Sequence, residues 1–435
     1  MKLKNYTLLL IILICTSFFT SCLEDDCAET RTFVQIEPVF IELSEIRQAP
    51  TTTEARDLEN PGKLYFYQNM IFVNELKEGI HIIDNADPKN PQNMGFINIP
   101  GNVDIAIQDG YLYADSYMDL ITLDIRNTDN INLTCRHEDI FQSQFSFQDG
   151  RGFLVDYVET ENSIEVDCSE IDFNNKFINR GGEIFVDIDI AFENSADSAG
   201  PQGPAGAASP SSGGTGGSLA RFSIAKNHLY VIDAFNLYVY DIARAEKPVG
   251  VNEQYIEWGI ETLFPYRDLL FIGANNGMFI YNNENPADPY FLSKFEHARA
   301  CDPVFVQGDL AYVTLRDGTR CESFSNQLDV VDVADWRNPK LLHTHQMDNP
   351  HGLSVRGEHL YLCEGSFGLK VFDKSDSARI PDEKTDHIKD VHAYDVISLS
   401  DDHLLVIGMD GLYQYDSSDK DDLKEISVIS VTRGN

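Results

Sequence analysis

The segments Leu229–Asp233 (LYVID) and Leu237–Asp241 (LYVYD) decide the fold, because together they are one copy of a repeated pattern. Each copy contains an apolar run, a tight turn and a second apolar run that closes on Asp or Asn. The copies begin at Ile71, Leu112, Leu229, Leu269, Leu310, Leu360 and Leu404. Such repetition indicates an array of one supersecondary unit. It is stronger evidence for the fold than the secondary-structure propensity of any single segment.

The spacing of the copies predicts the architecture. Most copies lie about 40 to 50 residues apart, which matches a four-stranded propeller blade. Polar residues close the copies at Asp84, Asp124, Asp241, Asn282, Asp332, Asp373 and Asp416, and we expect these side chains to cap the turn that follows. Prolines 91, 248, 289 and 339 then precede an outer edge strand, where a missing N–H is tolerated. The sequence predicts an all-β fold, a single seven-bladed β-propeller of four-stranded blades.

One interval in the repeat is too long. Blades 1 and 2 occupy residues 61–140 and blades 3 to 7 occupy 219–435, which leaves an insertion at 141–218 between blades 2 and 3. Within the insertion, Gly152–Cys168 is predicted to form a β-hairpin. Residues 194–218 are rich in Gly, Ser and Pro and are predicted to form a flexible loop.

The N-terminus carries an export signal. Residues 1–21 contain two early lysines and a short apolar run, too short to span a bilayer, followed by Cys22. The residues before Cys22 resemble a bacterial lipobox, which predicts lipidation of that cysteine; the alternative is plain secretion with cleavage elsewhere. Residues 22–60 are then a polar tether with one predicted strand at Phe33–Ile36.

The acidic residues that follow the cysteine bear on localisation. Leu23–Asp26 (LEDD) resembles the surface-export tag of lipoproteins in Bacteroidetes-type bacteria, although ordinary solvation of a tether explains it equally well. The expected location is the outer membrane, on its periplasmic or cell-surface face, with the membrane contacted through the N-terminal lipid. The formal net charge of −37 excludes nucleic acid as a partner and leaves a protein or a glycan.

The strand pair that ends in an apolar residue and aspartate also carries a family resemblance. Leu328–Asp332 (LDVVD) and Leu237–Asp241 resemble the LVIVD repeat of bacterial β-propeller lipoproteins. The stretch Ala300–Cys321 is similar to the most recognisable blade of that family. The resemblance covers roughly residues 61–430 and implies a fold and an extracytoplasmic location, but no reaction and no catalytic residue.

The chain has eight cysteines, of which Cys15 and Cys22 belong to the export signal. Cys301 lies in the first strand of blade 5, and Cys321 lies in the enlarged loop of the same blade. Exported proteins form disulfides, so we expect these two to pair and to clamp the loop; the alternative is two free thiols. A pair between Cys135 and Cys168 is a weaker expectation, and Cys363 is predicted to be a small core residue.

Polar residues also recur near the start of the innermost strands: Asp104, Arg221, Glu261, Asp302, His351 and Asp395. In a propeller these starts meet at one mouth of the central channel, where the side chains would bind a divalent cation or a sugar. The alternative is that they are satisfied by water and by one another. No other cofactor is predicted. His343 and His345 alternate on an outer strand and are predicted to lie on the surface.

Two functions remain open on the sequence alone. The first is a binding or scaffolding module whose ligand is not defined. The second is an enzyme, a lyase or hydrolase that acts on polysaccharide through carboxylates at the channel mouth, which requires two carboxylates about 5 to 10 Å apart beside a pocket. The sequence contains none of the short nucleophile, metal or phosphate-binding motifs, which favours the binding module.

Overall fold

A computed structural model describes residues 28–128, 130–167, 177–180, 183–187, 214–218, 220–296, 303–316 and 326–432. The chain divides into two compact units. Of the described residues, the smaller unit holds 28–38 and 157–187, and the larger unit holds the remainder. The chain begins with β1 (Ala28–Ile41), the four-residue helix α1 (Leu43–Ile46) and β2 (Thr51–Thr53).

Most of the larger unit consists of four-stranded antiparallel sheets, each a meander of consecutive strands. Sheet 1 contains β3 (Pro61–Tyr67), β4 (Met70–Glu75), β5 (Gly79–Asp84) and β6 (Gln92–Asn98). Sheet 2 contains β7 (Ile105–Gln108), β8 (Tyr111–Ser116), β9 (Asp119–Asp124) and β10 (Asn132–His137). The chain continues through a 3₁₀ turn (Gln142–Gln144), β11 (Ser146–Gln148), β12 (Gly152–Asp167), β13 (Phe177–Arg180), β14 (Glu183–Asp187) and β15 (Thr215–Gly216).

The same meander then repeats to the end of the chain. Sheet 3 contains β16 (Phe222–Ala225), β17 (His228–Ile232), β18 (Asn236–Asp241) and β19 (Val249–Tyr255). Sheet 4 contains β20 (Ile260–Tyr266), β21 (Leu269–Ala274), β22 (Gly277–Asn282) and β23 (Tyr290–Glu296). Sheet 5 contains β24 (Val304–Gln307), β25 (Leu310–Leu315), β26 (Gln327–Asp332) and β27 (Lys340–Gln346).

The last two sheets follow the same order. Sheet 6 contains β28 (Leu353–Arg356), β29 (His359–Cys363), β30 (Leu369–Asp373), a 3₁₀ turn (Ile380–Glu383) and β31 (Lys384–Ile388). Sheet 7 contains β32 (Ala393–Ser400), β33 (His403–Gly408), β34 (Gly411–Asp416) and β35 (Lys424–Ser430). The first strand of each of these sheets contacts the first strand of the next, for example β16 with β20 and β20 with β24. The prediction of an all-β fold is confirmed, and the arrangement is β-propeller-like.

The closing Asx column explains how each sheet turns toward its outer strand. The side-chain oxygen of Asp84 accepts a hydrogen bond from the N–H of Ala86 at 2.9 Å. The same bond to the residue two positions on recurs at Asp124, Asp241, Asn282, Asp332, Asp373 and Asp416. The four prolines of the pattern each stand directly before the first residue of an outer strand. Both predictions about this turn are confirmed.

Large side chains at the third position of each second strand form the core between sheets. Tyr or Phe holds this position in sheets 1 to 6 and Leu405 holds it in sheet 7, and each is at most 1% exposed: Phe72, Tyr113, Tyr230, Phe271, Tyr312, Tyr361 and Leu405. Burying one such side chain contributes roughly 1.5 to 3 kcal/mol. These residues lie in apolar strands, which is why the period of the apolar runs identified the sheets correctly.

Two strands from outside the meanders extend sheet 1. β2 pairs with the outer strand β6, with Thr52 opposite Ile97. β15 pairs with the innermost strand β3, with Gly216 opposite Tyr65. The prediction of a flexible loop for 194–218 is therefore wrong for its described residues, 214–218. Gly214, the first of these described residues, lies in a narrow space, as the contacts below show.

The insertion also departs from its predicted form. The described part of the expected hairpin, Gly152–Asp167, is one continuous strand, so this prediction is wrong; its hairpin partner is β11, which precedes it. In the smaller unit β14 pairs with β1 and with β13, and β1 contains the strand expected at Phe33–Ile36. The surface prediction is wrong for His345, which is 7% exposed, with its Nε2 2.8 Å from the carbonyl oxygen of Ser377.

Candidate functional site

An axial segment, residues 214–218 and 220–221, crosses the inner strands of several sheets. It contacts or contains three of the six polar residues that the sequence singles out, namely Asp104, Arg221 and Asp395. Gly214 N–H donates to the Ile107 carbonyl of sheet 2, and Gly217 N–H donates to the Leu64 carbonyl of sheet 1. Farther along, the Ala220 carbonyl accepts from Leu263 N–H of sheet 4. Since innermost strands otherwise present an unpaired edge toward the axis, this segment satisfies part of that edge.

Glycine is required at one position of this segment by the space available. A Cβ built on Gly214 would lie 2.4 Å from the Tyr65 ring and 2.6 Å from the Phe66 carbonyl oxygen. The Phe66 carbonyl is held by the pairing of β15 with β3, in which Phe66 lies opposite Thr215. Gly214 therefore has a structural reason to be small.

Asp104 is one of two buried carboxylates at this axial segment. It is 2% exposed, and its Oδ2 accepts hydrogen bonds from Lys63 Nζ at 2.8 Å and from Arg221 N–H at 2.5 Å. A third donor, Phe222 N–H, lies 3.3 Å away. Lys63 is itself buried, and burial lowers its pKa despite the opposing charge of Asp104. Asp104 thus fixes the start of β16 against sheets 1 and 2.

Asp395 is the second buried carboxylate, with no exposed surface. Ser218 donates to Asp395 Oδ1 through its hydroxyl at 3.0 Å and through its backbone N–H at 3.2 Å. The same hydroxyl accepts from Leu353 N–H of sheet 6 at 2.7 Å. Gly352 makes room for this contact, since a Cβ there would lie 2.0 Å from Asp395 Oδ1. Burial raises the pKa of Asp395 to about 8, so the carboxyl is mostly neutral at pH 7.

His351 lies away from this segment, between sheets 5, 6 and 7. Its ring is buried, with Arg316 Nη1 3.1 Å from its Nδ1 and with the Tyr394 ring centroid 5.5 Å away. Its main chain is held as well, because its carbonyl accepts from Thr314 Oγ1 at 3.0 Å. Burial and the neighbouring Arg316 charge lower the pKa of His351 well below its usual range, so the imidazole is neutral at pH 7.

The structure places the other axial candidates as follows. Arg221 is half-buried, and its Nε donates to the Ile232 carbonyl at 3.3 Å. Glu261 is half-buried in the inner strand β20. Asp302 lies outside the described residues. Asp104 and Arg221 meet directly, Asp395 meets the same segment through Ser218, and His351 contacts a separate set of residues. A ligand-binding role for these side chains stays a prediction.

The structure also leaves the predicted divalent-cation site untested. Within the described ranges, no group of three or more His, Cys, Asp or Glu side chains is arranged to hold a metal ion. A divalent cation at the axis therefore stays a prediction.

Most of the cysteines with a predicted role lie outside the described residues: Cys22, Cys168, Cys301 and Cys321. Cys135 carries a free thiol. Cys363 is a buried core residue, as predicted, and burial raises the pKa of its thiol.

Sequence reasoning missed the partners that organise this site. Ser218 was assigned to a flexible loop, and its link to Asp395 spans 177 residues of chain. Lys63 carries a detectable signal, because a single charged residue in the apolar strand PGKLYFY indicates a buried ion pair. Asp115 was also missed: it is buried, accepts from the N–H groups of Val103 and Asp104, and has its pKa raised by burial.

Comparison with known proteins adds fold similarity only. No protein-family model matches the chain, and no curated protein matches it in sequence. Among solved structures, it is similar to a functionally unknown protein from Desulfotomaculum acetoxidans, with 11% identity, a TM-score of 0.49 and coverage of 86% of this chain and 100% of that one.

Two further structures are similar at a lower level. BamB from Moraxella catarrhalis is 6% identical, with a TM-score of 0.46 and coverage of 84% of each chain. PorZ from Porphyromonas gingivalis, a surface component of the type-IX secretion system, is 12% identical, with a TM-score of 0.44 and coverage of 86% of this chain and 39% of that one. Similarity this distant says nothing about the ligand or partner of this chain.

Proposed function

We propose that this protein is a lipid-anchored, extracytoplasmic β-propeller that acts as a binding or scaffolding module. Sheets 1 to 7 are its seven blades, and the insertion at 141–218 follows blade 2. The resemblance of the repeat to the LVIVD pattern supports this proposal, as does the antiparallel meander common to all of these sheets.

Contacts between the last and the first sheet support closure of the ring. Leu64 and Ile71 of sheet 1 share one core cluster with Ile397 and Leu405 of sheet 7. Asn85 and Gln414 exchange two side-chain hydrogen bonds, at 3.0 and 2.7 Å. Leu58, which precedes sheet 1, also forms a parallel bridge with Val431, which follows sheet 7. A closed ring removes the exposed face that a terminal sheet would otherwise present.

Anchoring is proposed from the sequence of the export signal, with Cys22 as the lipid site. No helix in the described ranges is long and apolar enough to cross a membrane. The acyl chains on Cys22 would supply membrane attachment, and the acidic run after it supports export to the outer membrane, on the periplasmic or the cell-surface face.

The hydrogen bonds made by the axial carboxylates favour a binding function over a catalytic one. A glycosidase or lyase needs carboxylates that face the substrate. Asp104 instead pairs with Lys63 and with backbone N–H groups, and Asp395 is held by Ser218. Both groups stabilise the ring by fixing a segment of the chain itself. We therefore assign the binding surface to the blades and their loops.

A glycan and secreted-protein binding screen on residues 23–435, combined with native metal analysis, tests this proposal. We expect one class of ligand to be retained without chemical change. Turnover of a retained glycan would favour the enzyme instead. Failure to retain any ligand would remove the basis for a binding module.

A further inference from the structure

The turn that connects sheet 3 to sheet 4 carries two exposed aromatic side chains. Tyr255 is the last residue of the outer strand β19 and is 67% exposed, and Trp258 in the turn itself is 57% exposed. We call residues 255–259 the Trp258 turn. No Trp, Tyr or Phe is present in the other described connectors between consecutive sheets, residues 99–104, 347–352 and 389–392. The fold therefore does not require exposed aromatic residues at this place.

Hydrogen bonds hold the backbone of this turn on both sides of Trp258. The N–H groups of Ile256 and Gly259 donate to the carbonyls of the sheet 3 turn 234–235, at 2.9 and 2.8 Å. The Gly259 carbonyl accepts from Asn275 N–H, in the turn after β21, at 2.8 Å. Gly259 has a φ of +80°, and a Cβ there would lie 2.4 Å from Asn275 Nδ2, so glycine is required. Because this backbone is already fixed, little conformational freedom is lost when a ligand covers Trp258.

Glu257 supplies a polar group to the turn, and sheet 4 orients its carboxylate. Its Oε1 accepts from Asn276 Nδ2 at 2.8 Å, and its Oε2 accepts from Lys294 Nζ at 2.9 Å. The hydrogen bond from Lys294, followed by that from Asn276, holds the pKa of Glu257 below its usual range. The Glu257 side chain is 37% exposed, and a carboxylate has about four acceptor sites. Acceptor sites of Glu257 are therefore still open to a donor from solvent.

The charges of the turn favour an uncharged ligand with hydroxyl groups. Glu257 and Lys294 form an ion pair, so these two side chains bring no net charge to the turn. The formal net charge of the chain, −37, disfavours an anionic ligand. Adjacent hydroxyls of a sugar ring can donate to the two oxygens of one carboxylate. The C–H groups on the face of that ring carry partial positive charge, which suits the negative face of an aromatic ring.

The exposed aromatic area favours a saccharide over a protein partner. An aromatic side chain buries roughly 150 to 250 Å², so the exposed fractions of Tyr255 and Trp258 leave roughly 200 to 300 Å² for a ligand. A stable protein interface needs about 800 Å² on each partner. The aromatic surface of the turn is much smaller than that, and it is close in size to one face of a short oligosaccharide.

We propose that the Trp258 turn binds an uncharged oligosaccharide, with one sugar face stacked on Trp258 and with ring hydroxyls that donate to Glu257. Tyr255 offers a second aromatic surface to the same chain of sugars. This inference deepens the proposed function and rests on it, since it names the class of ligand that the binding module retains.

The test titrates residues 23–435 with cellohexaose, xylohexaose, maltohexaose and mannohexaose and follows tryptophan fluorescence. The chain contains two tryptophans, so Trp336→Phe leaves Trp258 as the single reporter. At least one of these probes should change the Trp258 emission in a saturable way. Calorimetric titration with that probe should then show binding to Trp258→Ala that is weaker by about tenfold or more, because a stacked aromatic ring is a dominant contact. Glu257→Gln should weaken binding about 3- to 10-fold, since it removes one acceptor oxygen.

Tyr290→Ala is the matched control for Trp258→Ala. Tyr290 is also an aromatic residue with half of its surface exposed, but it lies at the start of the outer strand β23, outside the Trp258 turn. The affinity of Tyr290→Ala for the probe should equal that of the wild type. Both substitutions remove an exposed ring, so urea unfolding should find both variants folded and of similar stability.

Binding of none of the probes, unchanged affinity in Trp258→Ala, or an equal loss of affinity in Tyr290→Ala would each overturn the proposal. A secreted protein that binds the wild type and Trp258→Ala equally, while no sugar binds, would end the saccharide site and leave the binding module standing. Cleavage of a probe that binds at Trp258 would do the reverse, because the saccharide site would stand and a purely binding function would not.

Discussion

Replacement of Asp395 by Asn should change how the stability of this protein depends on pH. Asp395 is completely buried, and its pKa is about 8, against about 3.9 in an unfolded chain. The folded state therefore binds a proton more tightly than the unfolded state does. This contribution to stability is fully present below about pH 4 and is lost as the pH rises toward 8. The difference in pKa corresponds to about 6 kcal/mol across that range.

The Asp395→Asn variant keeps an oxygen acceptor for Ser218, but its amide cannot ionise. Urea unfolding of the wild type and of Asp395→Asn should be measured from pH 5 to pH 9. The free energy of unfolding of the wild type should fall relative to the variant by about 1.4 kcal/mol per pH unit up to about pH 8, and the difference should then level off. Charges common to both proteins, including nearby Lys63, largely cancel in this difference.

Ser218→Ala provides the control for this experiment. It removes the hydroxyl that donates to Asp395, which should cost about 1 kcal/mol, and it leaves the ionisable group in place. The steep pH dependence should therefore persist in Ser218→Ala. A difference between the wild type and Asp395→Asn that does not vary with pH would show that Asp395 is ionised as in water, and would refute its burial beneath the axial segment.

Two further predictions concern residues outside the described ranges. Cys22→Ser should release the protein from membranes into the soluble fraction, because the acyl chains are its proposed attachment; unchanged detergent partitioning would contradict lipidation. Non-reduced peptide mapping of exported material should find Cys301 joined to Cys321, since the export route is oxidising. Free thiols at both positions would show that the enlarged loop of blade 5 is not clamped.

The sheets could be predicted from sequence because their signal is local and repeated. The apolar run from Leu229 and the Asx cap at Asp241 lie in one short segment, and the same arrangement recurs along the chain. Averaging over copies removes the ambiguity of any single short strand. The position of the outer strands followed in the same way from the prolines before them.

The axial site could be predicted only in part, since its contacts join distant parts of the chain. The period of the repeat placed Asp104 and Asp395 near the starts of inner strands, where the structure has them, but it did not indicate their partners. Lys63 is 41 residues from Asp104, and Ser218 is 177 residues from Asp395. A stretch of glycine and serine is typical of a linker, so it predicts a strand only when the space around it is known. Gly214 is an example, because the small space around it requires glycine.

The insertion was misread for a related reason. Gly152–Asp167 has a polar run, residues 159–163, between two more apolar runs, and this pattern is compatible with a hairpin turn as well as with one long strand. His345 was assigned to the surface because outer strands are generally exposed. A turn of the next sheet covers it instead, and that contact depends on how neighbouring sheets pack.

The most direct test of the central claim is to measure binding and turnover in the same samples. Residues 23–435 should be incubated with each glycan and secreted protein of the screen, and both retention and new reducing or unsaturated sugar ends should be followed. We predict that one ligand class is retained, that no product forms, and that Asp395→Asn retains the ligand equally well. Product that accumulates with the wild type and is lost with Asp395→Asn would contradict a binding module and establish catalysis at the axis.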